Sequence, residues 1–346
     1  MELLRDEGGN GPALYTTRFA LMGGVAVVRF VDDRGRERAE RIARAVEDEA
    51  RRIEVKFSRY RESSVVSEIN RNAGRTPVAV DEETDQLVRA ALDLGRLTGG
   101  RFDPTVGVLR RVWDFKKGRV PSAEEIAGLL PLVNAAAVSL RDGTVFLRCP
   151  GMEIDLGGVG KEYAVDRAAG LLEDEGIRSA IVDFAGDVRT VGSRGDGRPW
   201  HVGVVDPRDR RRCRFAIRLT GDAGIATSGD YERAFVKDGV RYHHILDART
   251  GWPARGVASA TVVAASTFDA GRFASAAFLL GVEAGLALLE GEPGVEGALI
   301  TADGDILATA GMAGLSNLYP PFLAWSRTAA SLRSNAPVRA GDPPTF

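Results

Sequence analysis

Between Phe19 and Phe57 the hydrophobic pattern changes period, from strand to helix. Phe19 to Phe30 is apolar and rich in valine, as a strand is, and Asp32-Asp33-Arg34-Gly35 supplies a turn after it. Ile42, Val46, Ala50, Ile53 and Phe57 then recur three or four apart, so they line one stripe of an amphipathic helix whose Arg and Glu residues face water. Core packing accounts for nearly all of that stripe. The pairing of the two periods makes the chain a mixture of helix and sheet.

The same mixture continues. A second helix starts behind Asp81 as N-cap, carries Leu87, Ala91 and Leu94, and stops at Thr98-Gly99-Gly100. Ser122 and Glu125 have capping-box spacing. Val138 to Leu147 places apolar arms around Asp142-Gly143, a hairpin signal. A strand over Glu153 to Leu156, a helix from about Gly160 to Glu175 and a strand over Ser179 to Phe184 follow. Beyond Gly192 the pattern is strand-rich through Tyr242, then helical from about Asp269 to Leu280 and from Val282 to Leu289. No repeat period is visible. The expected organisation is a mobile leader over residues 1–14, one catalytic unit over 15–330 and a disordered tail over 331–346, which has no apolar periodicity.

Composition narrows the function. A formal net charge of −2 gives no general attraction to nucleic acid or membranes. Cys149 and Cys213 have no paired spacing, which excludes a disulfide framework and a thiolate metal site. The acidic start, Met1 to Glu7, is the opposite of an export signal, and the apolar stretch Phe273 to Leu289 is interrupted at Gly281 and Glu283. The expected location is cytoplasmic.

Five segments concentrate glycine, hydroxyl and charge without either period, as ligand-lining loops do. Ser58 to Asn70 ends the first helix in hydroxyls and an amide, and taken alone it reads first as a polar turn with serine caps. Thr98 to Gly107 bends on glycines and then stiffens at Asp103-Pro104, offering backbone donors beside a carboxylate. Asp155 to Asp166 reads as strand, three-glycine turn and helix start; a diphosphate could approach the glycine backbone, the helix N-terminus and Lys161 together. It matches neither a Walker A loop nor a Rossmann fingerprint. Ile225 to Tyr231 is a hydroxyl-rich turn. Tyr242 to Gly251 holds His243 and His244, and His244, crowded by Asp247, Arg249 and Thr250, suits a base toward a hydroxyl nucleophile, whereas His201 reads as structural.

Taken together, the Ser-x-Tyr-x-x-x-Ser-x-x-Ser-x-x-Asn run from Ser58, Phe-Asp-Pro-Thr-Val-Gly from Phe102, Asp-Leu-Gly-Gly-x-x-Lys from Asp155, Ala-Thr-Ser-Gly-Asp-Tyr from Ala226 and His-Ile-Leu-Asp-x-Arg-Thr-Gly from His244 resemble the signature of the FAD:protein FMN transferase (ApbE) family. The resemblance runs from about Met22 to Gly281. It implies an α+β, T-fold-like architecture of two packed lobes with a flavin cleft between them. It implies a Mg²⁺-dependent transferase that moves FMN from FAD onto a threonine hydroxyl of an acceptor flavoprotein and releases AMP. Carried over by position, Met22, Tyr60, Arg101, Phe102, Asp103, Asp155, Lys161 and Ile245 line FAD, Gly158 offers its carbonyl to the metal, and His244 is the base.

Three positions depart from the family pattern. An aspartate and a threonine one turn apart usually reach the metal from the last motif's helix, and here they are Gly271 and Ser275. Serine keeps a hydroxyl but glycine removes the carboxylate. Asp269 substitutes only if that helix starts later than Asp269. Glu162 stands where many relatives have glycine and is another source of a carboxylate. Two other functions use the same site: an FAD pyrophosphatase, in which water rather than threonine attacks, and, with Gly271 in place of the usual aspartate, a non-catalytic flavin-binding protein. The basic run Arg208 to Arg214 reads as a solvated turn, with docking of an acidic acceptor as the lesser reading.

Overall fold

A computed structural model of the chain describes residues 2–5, 13–317 and 323–324. Its backbone is organised by one ten-stranded sheet whose strands lie side by side in chain order. Numbering only that sheet's strands, they are β1 (Glu2–Arg5), β2 (Leu14–Leu21), β3 (Gly24–Val31), β4 (Ala180–Phe184), β5 (Asp187–Val191), β6 (Ala223–Gly229), β7 (Val257–Ala264), β8 (Glu296–Thr301), β9 (Ile306–Ala308) and β10 (Leu323–Ala324). Neighbours pair antiparallel except β9 and β10, which are parallel. The longer helices are α1 (Arg36–Phe57), α2 (Glu82–Leu97), α3 (Gly160–Asp174), α4 (Thr267–Leu280) and α5 (Val282–Gly291). Mixed helices and a meandering sheet make this an α+β fold.

Strand alternation divides the core. Ala180 and Val182 of β4, Ala226 of β6, Val262 of β7 and Leu299 of β8 face the helices, while Ile181, Ile225, Val263 and Ala298 face a hairpin of Trp200–Val205 and Cys213–Leu219 on the other side. The α1 stripe expected from sequence, Ile42, Val46, Ala50, Ile53 and Phe57, is buried, with α1 packed against α3 and β2. Asp81 caps α2, and Ser122 with Glu125 forms the capping box of the short helix Ala123–Leu129.

Several sequence expectations change. Phe19 to Phe30 is a hairpin, because Met22 (φ 49°) and Gly23 (φ 78°) both take positive φ and close the two-residue turn between β2 and β3. Glu153 to Leu156 is extended but not a strand. Its backbone partners are a side chain and a loop: Asn70 Oδ1 accepts from Ile154 N at 2.7 Å, Asn70 Nδ2 donates to the Ile154 carbonyl at 3.0 Å, and Asp155 N donates to the Pro104 carbonyl at 2.7 Å. Ile225 to Gly229 lies in strand β6 rather than in a turn. In the leader expected to be mobile, residues 2–5 pair with β2 and Leu3 is buried. The tail expected over 331–346 lies outside the described residues. No helix among the described residues is long and apolar enough to cross a membrane.

Candidate active site

The glycine-rich turn at 157–160 ends in α3 and is held by its neighbours on both sides. Asp155 Oδ1 accepts from Gly157 N at 2.8 Å, and the Leu156 carbonyl accepts from Gly160 N at 2.8 Å. Glycine at 158 is required by packing, since a Cβ there would sit 2.8 Å from Cε2 of Phe102. The Phe102 loop therefore lies directly on the turn. Asp103 fixes that loop: Oδ1 accepts from Thr105 N at 2.8 Å and Thr105 Oγ1 at 2.6 Å, and Oδ2 from Ala135 N at 2.8 Å. Its carboxylate is thus spent on the scaffold, and what it offers a ligand is the shape of the loop.

Arg59 and Arg110 both reach Asp155 Oδ2, at 3.3 and 3.2 Å. Burial disfavours the charged carboxylate, but the two guanidiniums outweigh it and hold Asp155 below its ordinary value. The same two cations flank the ring of Tyr60, which is 73% exposed and whose hydroxyl accepts from Arg110. An exposed aromatic face between two cations is a platform for a flat, anionic ligand. Met22 sits at the β2–β3 turn, with its backbone N–H donating to Glu54 Oε1 at 2.7 Å.

Arg101 joins the last motif to this group. Its Nη1 lies 2.7 Å from Asp247 Oδ2, and its carbonyl accepts from Ala248 N at 2.8 Å. Ile245 holds the other edge, its carbonyl accepting from Ala254 N at 3.0 Å. In the same segment His244 Nδ1 lies 3.1 Å from the Glu232 carbonyl. A carbonyl can only accept, so Nδ1 carries the proton and Nε2 keeps its lone pair. Burial, then Arg233, His243 and Arg110, push the imidazole down to about 3, which keeps it neutral.

A second cluster surrounds the start of α3. Lys161 Nζ lies 2.5 Å from Asp187 Oδ2 at the head of β5. Burial opposes its charge, but Asp187 and Glu162 outweigh burial and raise Lys161 above its ordinary value. Glu162 is 8% exposed, and burial followed by the neighbouring Asp187 charge pushes it up to about 8. Its Oε2 is buried without a hydrogen-bond partner. Glu162 lies against Gly271 of α4, where a Cβ would come within 2.4 Å of Glu162 Cγ. One turn along α4, Ser275 Oγ is 3.2 Å from Ser228 Oγ of β6.

Asp269, the considered substitute carboxylate, is placed elsewhere. Helix α4 begins at Thr267, before Asp269, with Ser266 as N-cap and with Asp166 accepting from Thr267 N and Phe268 N. Asp269 accepts from the Ser266 hydroxyl at 2.8 Å and lies 3.4 Å from Arg272. It lines a separate cleft of about 530 Å³ with Asp93, Arg96 and Arg272. Among the described residues no three His, Cys, Asp or Glu side chains form a ready metal cage, so a cation here needs hydroxyl, carbonyl or ligand oxygens as well.

The ApbE family model matches residues 22–300. The chain belongs to the ApbE family. A curated relative named FAD:protein FMN transferase from Treponema pallidum is 35% identical over 277 residues, covering 75% of this chain and 76% of its own. Among solved structures, the ApbE protein of Thermotoga maritima is 38% identical with a TM-score of 0.77, covering 85% of this chain and 96% of its own. The flavin transferase ApbE of Vibrio cholerae is 28% identical at a TM-score of 0.77, covering 87% and 99%. The architecture expected from the resemblance is thus the one adopted by this ApbE chain.

Sequence reasoning named most of the segments but missed the residues that knit them together. Arg59, Arg110, Glu54 and Asp187 come from a helix end, a 3₁₀ turn, a helix interior and a strand start. Asp187 carried one usable signal: an acid directly after Ala185-Gly186, heading the apolar strand Asp187–Val191. The basic run is an exposed turn, as read, and two of its arginines also pair with acids of the neighbouring segment. Arg208 grips Asp230 through two bonds of 2.6 and 2.9 Å, and Arg210 lies 2.7 Å from Glu232.

Proposed function

We propose that this chain is an FAD:protein FMN transferase, which moves the FMN half of FAD onto a threonine hydroxyl of an acceptor flavoprotein, releases AMP and requires a divalent cation such as Mg²⁺. The observation that carries the reading is convergence: Phe102 packs on Gly158, Arg101 binds Asp247, and Arg110 reaches both Asp155 and Tyr60. Segments far apart in sequence form one continuous surface with an aromatic platform, a glycine turn at a helix N-terminus and a neutral imidazole.

In this reading Tyr60, Phe102, Met22 and Ile245 hold the flat parts of FAD. Arg101 and Lys161 face its diphosphate, together with the first N–H groups of α3. The threonine oxygen attacks the phosphorus on the FMN side, the bond from that phosphorus to the oxygen of AMP breaks, and His244 Nε2 takes the threonine proton. His244 is suited to this because its Nδ1 is committed to the Glu232 carbonyl. A divalent cation, when bound, neutralises charge on the diphosphate. The residues fit such a cation: Glu162, with an orphaned buried carboxylate oxygen, lies against Gly271 of α4, the Ser275 hydroxyl is one turn further along that helix, and Gly158 would offer its carbonyl from the turn that enters α3.

The test is incubation with FAD, Mg²⁺ and an acceptor domain bearing an accessible threonine, followed by mass spectrometry. An FMN-sized adduct on the acceptor is expected. Free FMN without adduct would make the protein a pyrophosphatase, and intact FAD would make it a flavin carrier.

A further inference from the structure

Glu162 is a buried acid at the start of α3 with a carboxylate oxygen that no hydrogen bond satisfies and, unlike its neighbour Asp187, with no ammonium turned to it. A carboxylate oxygen removed from water is ordinarily hydrogen-bonded or paired, because leaving it alone is costly. Oε2 of Glu162 has no hydrogen-bond partner, although the residue is only 8% exposed. The nearest cation, Lys161, is committed to Asp187 at 2.5 Å. Two carboxyl groups thus share one ammonium, and that ammonium is turned to Asp187. Nor is Glu162 there to fill a void left by poor packing: position 271 is glycine, and any side chain at that position would have to displace the Glu162 stem, which a Cβ would approach to 2.4 Å. The fold has made room for this acid beside Asp187 and Lys161 while leaving Oε2 without a hydrogen bond.

Its surroundings supply what a small hard cation takes. Ser275 is four residues beyond Gly271 and so on the same face of α4, with its hydroxyl paired only to that of Ser228 at 3.2 Å among the hydrogen bonds described. Gly158 lies in the turn that leads into α3, four residues before Glu162, with the Phe102 ring packed on it. Oxygen ligands of mixed type, completed by water and phosphate oxygens, are what Mg²⁺ and Mn²⁺ accept. Asp269, the other acid within reach in sequence, faces a different cleft.

We propose that Glu162 is the carboxylate ligand of the divalent cation, delivered from α3 into the space left open by Gly271, with the Ser275 hydroxyl beside it. This rests on the transferase reading for the identity of the second ligand, the FAD diphosphate, but the cation site itself is defined by Glu162, Gly271 and Ser275. It follows that α3 and α4 offer one carboxylate position between them, and that an acid can occupy it from one helix only.

The test measures metal directly. Mn²⁺ is titrated into the FAD-loaded protein, with free Mn²⁺ read by electron paramagnetic resonance and FAD affinity read separately by flavin fluorescence. Glu162→Gln keeps the shape and removes the charge, and is expected to weaken Mn²⁺ binding by at least about tenfold, with the circular dichroism spectrum and Tm kept. Gly271→Asp alone is expected to bind Mn²⁺ no better than wild type, because the new side chain collides with Glu162. The exchange Glu162→Gly with Gly271→Asp is expected to recover most of the affinity lost in Glu162→Gln. Unchanged Mn²⁺ affinity in Glu162→Gln overturns the proposal and leaves Glu162 a protonated neighbour of Asp187. An exchange variant that is folded yet as weak as Glu162→Gln overturns the shared position. Failure of the function itself is seen separately, as the absence of FMN adduct with the wild-type chain.

Discussion

His244 is expected to stay neutral in the ligand-free protein far below the pH at which histidines ordinarily charge. Burial is the leading cause, and the cations of Arg233 and Arg110 and the neighbouring His243 add to it, bringing the imidazole to about 3. The difference is large at an accessible pH: at pH 5 an ordinary imidazole is roughly 97% charged, whereas one titrating near 3 is roughly 1% charged. The measurement is a ¹⁵N-histidine NMR titration from pH 8 to 4.5, with His244 assigned by comparison with His244→Gln. Nitrogen shifts should hold at the values of an Nδ1–H tautomer throughout, because the Glu232 carbonyl at 3.1 Å fixes the proton there. Adding FAD should move the midpoint upward, since the diphosphate offsets the two arginines and favours imidazolium. The same shift enters stability. The unfolded chain takes up this proton below about pH 6.5 and the folded one refuses it, so stability falls as pH drops through that window. In His244→Gln that loss of Tm should be smaller. A midpoint near 6.5 in the free protein would refute the reasoning, as would the opposite tautomer.

Three further outcomes are expected. Gly158→Ala puts a Cβ 2.8 Å from Phe102 Cε2 and should cost about 1–3 kcal/mol in overpacking while weakening FAD binding; adding Phe102→Leu should restore part of both, and a single variant that binds FAD like wild type would show that the ring swings aside freely. Asp103→Ala strips the acceptors from Thr105 N and Ala135 N and should lower the unfolding free energy measured in urea by about 1–3 kcal/mol for each N–H left unpaired; an unchanged free energy would mean water replaces the carboxylate. Calorimetric titration should show tighter binding of FAD than of FMN, because the proposed contacts extend along the whole diphosphate, and equal affinities would count against that arrangement.

Where the sequence was legible, the signal was local. The α1 stripe, the Asp81 cap, the Ser122 capping box and the Asp142-Gly143 hairpin all rest on contacts within a few residues, and all formed as read. The misreadings came from structure that only tertiary partners define. Met22-Gly23 lacks the Asn or Asp that marks a tight turn, so β2 and β3 looked like one strand. Residues 153–156 read as a strand, yet the partner of the Ile154 backbone is the side chain of Asn70 rather than another strand. The site behaved in the same way. Its motifs could be picked out, but the ion pairs joining them, Arg110 to Asp155 and Lys161 to Asp187, span separations that no periodicity reports.

The crowding of Gly271 against Glu162 also bears on how such chains can diverge. An acid on either helix fills the shared space, so the two positions cannot drift independently. A lineage passing from one arrangement to the other must cross a sequence with two small residues and no acid, or one with two acids in collision. The first crossing keeps the packing and forfeits the charge, while the second keeps the charge and strains both helices. Related chains should therefore fall into two populations, small at 162 with an acid at 271 or the reverse, with few between them, and that covariation can be counted from sequence alone.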